Sequence, residues 1–589
     1  MPPLTPMKEK PADTKGTLKR IIAYLGRYKL MIGVILLFCI TSNILALLGP
    51  TFAGQAINEA AAGKGMVDFE KVKHYAGLML ITYVSSSVLT ILINILMTTV
   101  SRLVSKRMRN DVFDKLTRLP VGYFDKNATG DIISRVSYDI DVVTTCIATD
   151  LVSIMTSIVT VIGSFAMMVY ISPVLAVVEV FMIPLAIKYT VHMRKVTQPI
   201  FTRRSTSYGA MNGFVEEMFT GQKTILAYSY EKDVAEQFVD KNTDAADSFH
   251  DSEYEACAMG PTVNLFNNIG LGLVGMCGSL LFMLGYIDLG QVSSFVLYSR
   301  KFSGPINEVA NIVSEIYSAL SASERVFKLL DEEEEVSDQK DATVLDDVRG
   351  EVTLDHVKFG YDPGKTIIHD LSLDVDGGSL VAIVGPTGAG KTTIINLLMR
   401  FYDVNGGSIL VDGQDIRSYT RASLRKAYAM VLQDTWVFEG TIFENIAYGK
   451  ENATREEVIK AAKAAHIHSF IMQLSDGYDT VISEDGGNIS KGQKQLLTIA
   501  RAMLYDSKML ILDEATSNVD TSTEKRVQKA MRALMKGKTC FVIAHRLSTI
   551  KNADKIMVLN NGDVVEMGTH ESLMESKGFY YNLYRAQFE

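Results

Sequence analysis

The apolar positions fall into two regimes. From Leu30 to about residue 313 they gather into six long runs, at 30–50, 75–100, 148–171, 173–192, 261–284 and 288–313. Each is near the ~20 residues that carry a helix across ~30 Å of hydrocarbon. Ahead of them, Thr17 to Lys29 places Leu18, Ile21, Ile22 and Leu25 on one helical face and Lys19, Arg20 and Arg27 elsewhere. That pattern predicts an amphipathic helix lying along the inner membrane surface. From Gly350 the apolar runs become short and β-rich (352–357, 379–384, 408–411, 509–512 and 539–544), separated by helical stretches. Alternation of this kind predicts an α/β core with a largely parallel sheet. The fold class is therefore multidomain, a six-helix all-α membrane domain followed by a C-terminal α/β domain.

Charge orients the membrane part. The links after the second and fourth runs carry Arg102, Lys106, Arg107, Arg109 and Lys115, then Arg194, Lys195, Arg203 and Arg204, whereas 171–173 and 285–288 hold no basic residue. The basic links are placed in the cytoplasm, and the N-terminus and C-terminal domain with them. They read as helices projecting beyond the bilayer, with turns expected at Pro120–Gly130 and near Ser207–Gly221. Expected boundaries are a polar leader at 1–16, the membrane domain at 17–330, an acidic linker at 331–348 read as solvated, and the α/β domain at 349–589. The leader lacks the features of a signal peptide.

Composition removes some classes. A net charge of -8, with no basic patch interleaved with aromatics, argues against nucleic acid as a partner. Cysteines 39, 146, 257, 277 and 540 show no metal-ligand spacing and read as free thiols.

The chemistry concentrates in Gly385-Pro386-Thr387-Gly388-Ala389-Gly390-Lys391-Thr392-Thr393, between a strand and a helix. This is a P-loop: glycines let backbone N–H groups curl around phosphate, Lys391 reaches the β- and γ-phosphates, and Thr392 offers a hydroxyl to Mg²⁺. Met509 to Asp513 then reads as a Walker B strand, with Asp513 toward Mg²⁺ and Glu514 placed as general base for the attacking water. ATP and Mg²⁺ are the implied cofactors, and the activity is ATP hydrolysis.

With those motifs in order, the chain from about 17 to 589 resembles a half-transporter of the ABC exporter family, bacterial multidrug type. The resemblance implies that Tyr361 stacks on adenine, that Gln433 meets Mg²⁺ and the helical tips, and that His545 contacts the γ-phosphate. It assigns Ser490, Lys491, Gly492 and Gln493 to the signature that completes the site of an opposite subunit, and Ser517 to Asp520 to the D-loop. Lys491 departs from the family's glycine. An intact Glu514 and His545 beside an altered signature resembles the catalytic half of a heterodimer, which is favoured over a homodimer.

The function so implied is ATP-driven export of amphipathic or hydrophobic compounds across the cytoplasmic membrane by alternating access. A lipid or lipid-linked-precursor flippase, and an ATP-gated channel or regulator, stand as alternatives. Peptide export with a fused peptidase is disfavoured, because no such domain precedes the first run. Met167, Met168, Met182, Met276, Met283, Phe165, Phe181, Phe266 and Phe295 would line an adaptable cavity, or pack against lipid and one another. Glu179, Arg300 and Lys301 stand inside apolar runs, where charge is costly, and mark a possible substrate path or a Glu179–Arg300 salt bridge.

Overall fold

The structure is a computed structural model that describes residues 13–63, 65–362, 364–433, 435–483, 488–513, 521–544 and 550–588. It divides into two compact units, residues 1–119 with 127–334, and residues 120–126 with 335–589.

In the first unit, α1 (Thr14–Gly26) starts where the Asp13 carboxylate accepts from the Gly16 amide at 2.9 Å. Its packed face is the polar and aromatic one. Tyr24 donates to Asp111 at 2.8 Å and stacks on Phe327, and the Arg20 guanidinium lies 4.2 Å from the centre of the Phe327 ring. Leu18 and Ile22 stay exposed on the opposite side, available to lipid.

The long helices follow as α2 (Lys29–Ala60) and α3 (Phe69–Leu116). After the short α4 (Val121–Lys126), which clusters with the second unit, come α5 (Thr129–Ser134), α6 (Ile140–Ala148) and α7 (Asp150–Ile171). The unit closes with α8 (Pro173–Thr220), α9 (Gln222–Tyr228), α10 (Glu231–Met283) and α11 (Leu289–Asp331). Among the described residues, four stretches are long and apolar enough to cross a membrane: 29–60, 69–116, 129–171 and 264–283. The remaining two expected runs lie on α8 and α11, which carry Glu179 and Arg300 with Lys301. At ~1.5 Å of rise per residue, the 48 residues of α8 extend well past any bilayer. Ser207 sits inside that helix, and the turn comes at Gly221, the far end of the expected stretch. Beyond the apolar part, Arg203 and Arg204 pair with Asp244 at 3.2 Å and Glu253 at 2.7 Å on α10.

Small residues let α2 meet α11 closely. A Cβ on Gly290 would fall 2.0 Å from the Gly54 carbonyl oxygen, and one on Gly54 would fall 2.5 Å from that of Gly290. In hydrocarbon such backbone approach supplies the packing that a hydrophobic effect cannot. Hydroxyls add to it, with Ser42 and Ser86 joining α2 to α3 and Ser294 donating to the Pro50 carbonyl at 2.8 Å.

The second unit is built on a ten-stranded sheet in the order β5-β4-β1-β2-β12-β11-β3-β10-β9-β6. Its strands are β1 (Val352–Phe359), β2 (Ile368–Val375), β3 (Leu380–Val384), β4 (Gly406–Val411), β5 (Gln414–Asp415), β6 (Tyr428–Val431), β9 (Met509–Asp513), β10 (Thr539–Ile543), β11 (Lys555–Asn560) and β12 (Asp563–Gly568). A separate two-stranded ladder joins β7 (Gly440–Thr441) to β8 (Val481–Ile482). The main sheet is mixed rather than largely parallel. Strands β11, β3, β10, β9 and β6 run parallel, whereas β1, β2, β4 and β5 pair antiparallel and β12 returns antiparallel to β11. The short links between β1 and β2 and between β11 and β12 allow only antiparallel return, since a parallel crossover needs a dozen or more residues. The parallel strands are buried on both faces: Ile511, Phe541 and Ile543 enter one core, and Leu510, Leu512 and Val542 the other.

The acidic run is more than a solvated linker. Glu335 pairs with Arg425, and Asp338 meets the almost fully buried Arg421 at 3.1 Å, so its C-terminal half is stitched to the second unit.

Candidate functional site

Strand β3 delivers the chain into the glycine loop, and α12 (Lys391–Leu398) leaves it. Gly388 and Gly390 have φ of +82° and +101°, the region where a side chain is strained. At Gly385 space decides, because a Cβ there would lie 2.3 Å from the Leu559 carbonyl oxygen. Within this loop Lys391 Nζ donates to the carbonyls of Gly385 at 2.8 Å and Pro386 at 2.9 Å. Burial pulls the Lys391 ammonium below its ordinary range, and the Asp513 carboxylate opposes that shift. The amine therefore sits in the field of Asp513, which ends β9.

Topology collects the other groups. Strands β3, β9 and β6 are parallel, so the glycine loop, Asp513 and the segment after β6 that carries the exposed Gln433 leave the sheet at the same C-terminal edge. That edge is where open α/β sheets bind ligands. Thr392 is exposed on the first turn of α12, and Thr393 beside it is buried.

Tyr361 follows β1 and reaches α12 directly. Its hydroxyl donates to Thr393 Oγ1 at 3.3 Å and accepts from Asn396 Nδ2 at 3.1 Å. Its ring meets Phe359 and Tyr402 edge-on, each with centroids 4.9 Å apart. Asn396 and Tyr402 escaped the sequence reading. Asn396 carried one usable signal, a polar side chain one turn beyond Thr392 among the apolar residues that complete the helix. Tyr402 also donates to Asp125 of α4, within the same unit.

The helix Lys491–Tyr505 opens with Ser490 as its N-cap. Ser490 Oγ accepts from the Gln493 amide at 3.3 Å, and Gln493 Oε1 accepts from the Ser490 amide at 2.8 Å. This capping box uses the Gln493 side chain inside its own turn. Gly492 is buried and Lys491 exposed. Glu514, Ser517, Asp520 and His545 lie outside the described residues.

The charged groups of the first unit part from expectation. Glu179 and Arg300 form no ion pair: Glu179 is 4% exposed, with Ser303 Oγ donating to its Oε1 at 3.2 Å, and Arg300 is exposed. Lys301 donates to the Ala46 carbonyl instead, at 3.0 Å. Among the residues expected around a cavity, Met168 and Phe295 are fully buried in the helical core, whereas Phe165, Phe181, Met276 and Met283 are exposed. The five thiols are free.

Residues 32–306 match the family described as the ABC transporter transmembrane region, and residues 368–517 match the family described as ABC transporter. An uncharacterised ABC transporter ATP-binding protein of Bacillus subtilis is 42% identical over 582 residues, covering 99% of this chain and 96% of that one. A fatty acid ABC transporter ATP-binding/permease protein of Mycobacterium bovis is 42% identical over 524 residues, covering 89% of this chain and 83% of that one. Among solved structures, a bacterial Atm1-family ABC exporter with ATP bound superposes with a TM-score of 0.72 at 28% identity, over 98% of this chain and 99% of that one.

Proposed function

The chain belongs to the ABC exporter family, a membrane-embedded transporter that couples ATP hydrolysis to transport, and from that premise we propose that it exports amphipathic or hydrophobic small molecules across the cytoplasmic membrane. The observation that carries this reading is the covalent order of the chain. An apolar helical unit precedes a phosphate-binding unit, and the relatives match across nearly the whole length. The fatty acid relative favours a second reading, in which the cargo is a lipid moved between leaflets.

The loop fits a nucleotide. Gly385 leaves no room for a side chain, Gly388 and Gly390 hold a backbone conformation that side chains strain, the loop's lysine is already turned into it, and Asp513 and Gln433 leave the sheet at the same edge. Gly385 to Thr393 would hold the phosphates, and Tyr361 the adenine. Thr392, Gln433 and Asp513 would hold Mg²⁺, a set of few protein oxygens that suits an ion keeping its waters and phosphate ligands. Mg²⁺, when bound, offsets charge on the phosphate oxygens. Glu514 would take the proton of the attacking water, and His545 would donate to the γ-phosphate. Ser490, Lys491 and Gly492 would face the nucleotide of a second half-transporter, with Ser517 and Asp520 coupling the two sites. The N-terminus and the ATPase unit stand in the cytoplasm, and the pair is a heterodimer.

The test is uptake of a fluorescent amphiphile into inside-out vesicles containing the chain, alone and with a second half-transporter. ATP-dependent accumulation that Glu514→Gln abolishes supports export. Accumulation indifferent to that change overturns it.

A further inference from the structure

We propose that Glu179, Ser299, Ser303 and Ser164 form a subsite in the helical unit for a compact monovalent cation, presented as the ammonium group of an amphiphile or as a free alkali ion. This deepens the export reading and rests on it for the source of the ligand. The first observation is an orphaned oxygen. Glu179 is 4% exposed and its Oε1 accepts from Ser303, yet its Oε2 has no hydrogen-bond partner. Ser299, one turn before Ser303 on α11 and 3% exposed, faces the same carboxylate. The second observation comes from α7. Ser164 is 0% exposed and its Oγ has no partner either.

Register sets the two orphans at the same level of the helical unit. Helices α7 and α8 form a hairpin that reverses at Ser172, and Ser164 and Glu179 lie about two turns on either side of it, at matching depth. Each lies one turn from a core residue of the same cluster, Met168 and Leu175; α11 packs on α7, where the Phe302 ring stacks on Phe165 at 5.8 Å, and reaches α8 through the Ser303–Glu179 hydrogen bond. Two hydroxyls of α11 thus face the carboxylate of α8, and the unpartnered hydroxyl of Ser164 stands at the same depth on α7.

Neighbouring cations do not complete the set. Arg300 is exposed, and Lys301 is engaged with the Ala46 carbonyl, so among the described residues no basic side chain pairs with Glu179. An ionised carboxylate at hydrocarbon depth is costly without a counter-charge, and intramembrane acids mark ion or substrate paths for that reason. The charge count selects the ligand. One carboxylate with hydroxyl oxygens balances a single positive charge, whereas calcium or magnesium sites draw on several carboxylate and carbonyl oxygens. Hydroxyl acceptors also suit the N–H donors of an ammonium group.

The test uses the full chain in lipid nanodiscs without nucleotide, read by thermal unfolding during titration with dodecylamine and, separately, with dodecanol. A second arm exchanges N-methylglucamine chloride for sodium chloride. The expected result is stabilisation by dodecylamine whose midpoint rises about tenfold in Glu179→Gln and less in Ser303→Ala, with the dodecanol midpoint unmoved. Sodium-dependent stabilisation lost in Glu179→Gln, without a dodecylamine effect, identifies a free ion as the occupant. Equal responses of wild type and Glu179→Gln in both arms overturn the proposal, since the amide mimics a protonated carboxyl that fills the site by itself. If Glu179→Gln does not fold, Ser303→Ala and Glu179→Asp carry the comparison. Binding is read without ATP, so retained amine binding in a protein that exports nothing would sink the export reading alone.

Discussion

Lys301 Nζ donates to the carbonyl oxygen of Ala46, the acceptor that Pro50 deprives of its helical donor. Proline has no N–H, so the carbonyl four residues earlier on α2 is left open, and in lipid an open carbonyl must be satisfied from a neighbouring helix. The lysine ammonium, 5.6 Å from the centre of the Tyr83 ring, supplies that bond. Lys301→Met is expected to destabilise the chain by about 1–3 kcal/mol, the cost of one unsatisfied buried acceptor. Pro50→Ala should recover most of that loss by restoring the amide. A double-mutant cycle of unfolding in detergent measures the coupling, and additive effects would separate the two residues.

Tyr361 is tied to α12 through Thr393 and Asn396, so its ring is held against the helix that follows the phosphate loop. If the ring carries the adenine, Tyr361→Ala should raise KM for ATP about tenfold with kcat little changed, the pattern of lost ground-state binding. Tyr361→Phe keeps the ring and loses only its tether. Its KM should rise by about threefold, and Asn396→Ala should match it. Steady-state ATPase assays decide, and a fall in kcat with KM unchanged would move Tyr361 from binding to chemistry.

Much of this architecture is legible in residue order, because its signals are local. The glycine loop, the apolar strand ending in Asp513 and the long apolar runs each declare themselves within a short window. What stayed hidden depends on pairs far apart in sequence. Lys301 looked like a substrate-path charge because Pro50, which explains it, lies on another helix. Glu335 and Asp338 looked solvated because Arg425 and Arg421 join them only through tertiary packing. The mixed sheet was hidden for a related reason, since a buried apolar strand reads alike whether its neighbour runs parallel or antiparallel.

Lys391 and Asp513 make a paired prediction. Lys391→Met should remove the cation that meets the phosphates and lower kcat/KM about a hundredfold or more, with little change in unfolding temperature, because its present partners are loop carbonyls. Asp513→Asn should chiefly raise the magnesium concentration required for half-maximal turnover, by about 10–100-fold. A magnesium titration of ATPase activity separates them. An unchanged magnesium requirement in Asp513→Asn would assign the metal elsewhere.

Lys491 is the first residue of a fifteen-residue helix whose N-terminal amides are arranged by the Ser490–Gln493 box. A cation there opposes the helix dipole, costing roughly 0.3–1 kcal/mol, and competes with the amides for the negative charge they would attract. Lys491→Gly removes the charge while the cap remains, because neither Ser490 nor Gln493 bonds through the Lys491 side chain. In the heterodimer reading the site completed by this signature is the slow one, so the substitution should raise turnover of the pair, by about twofold if a second site begins to work as fast as the first. ATPase activity of the pair in nanodiscs, with and without Glu514→Gln, tests it. With Glu514→Gln present, any turnover that Lys491→Gly restores must arise at the nucleotide site of the other half. A fall in turnover on Lys491→Gly would mean the opposite, that the ammonium itself holds phosphate, and the chain would then work without a differing partner.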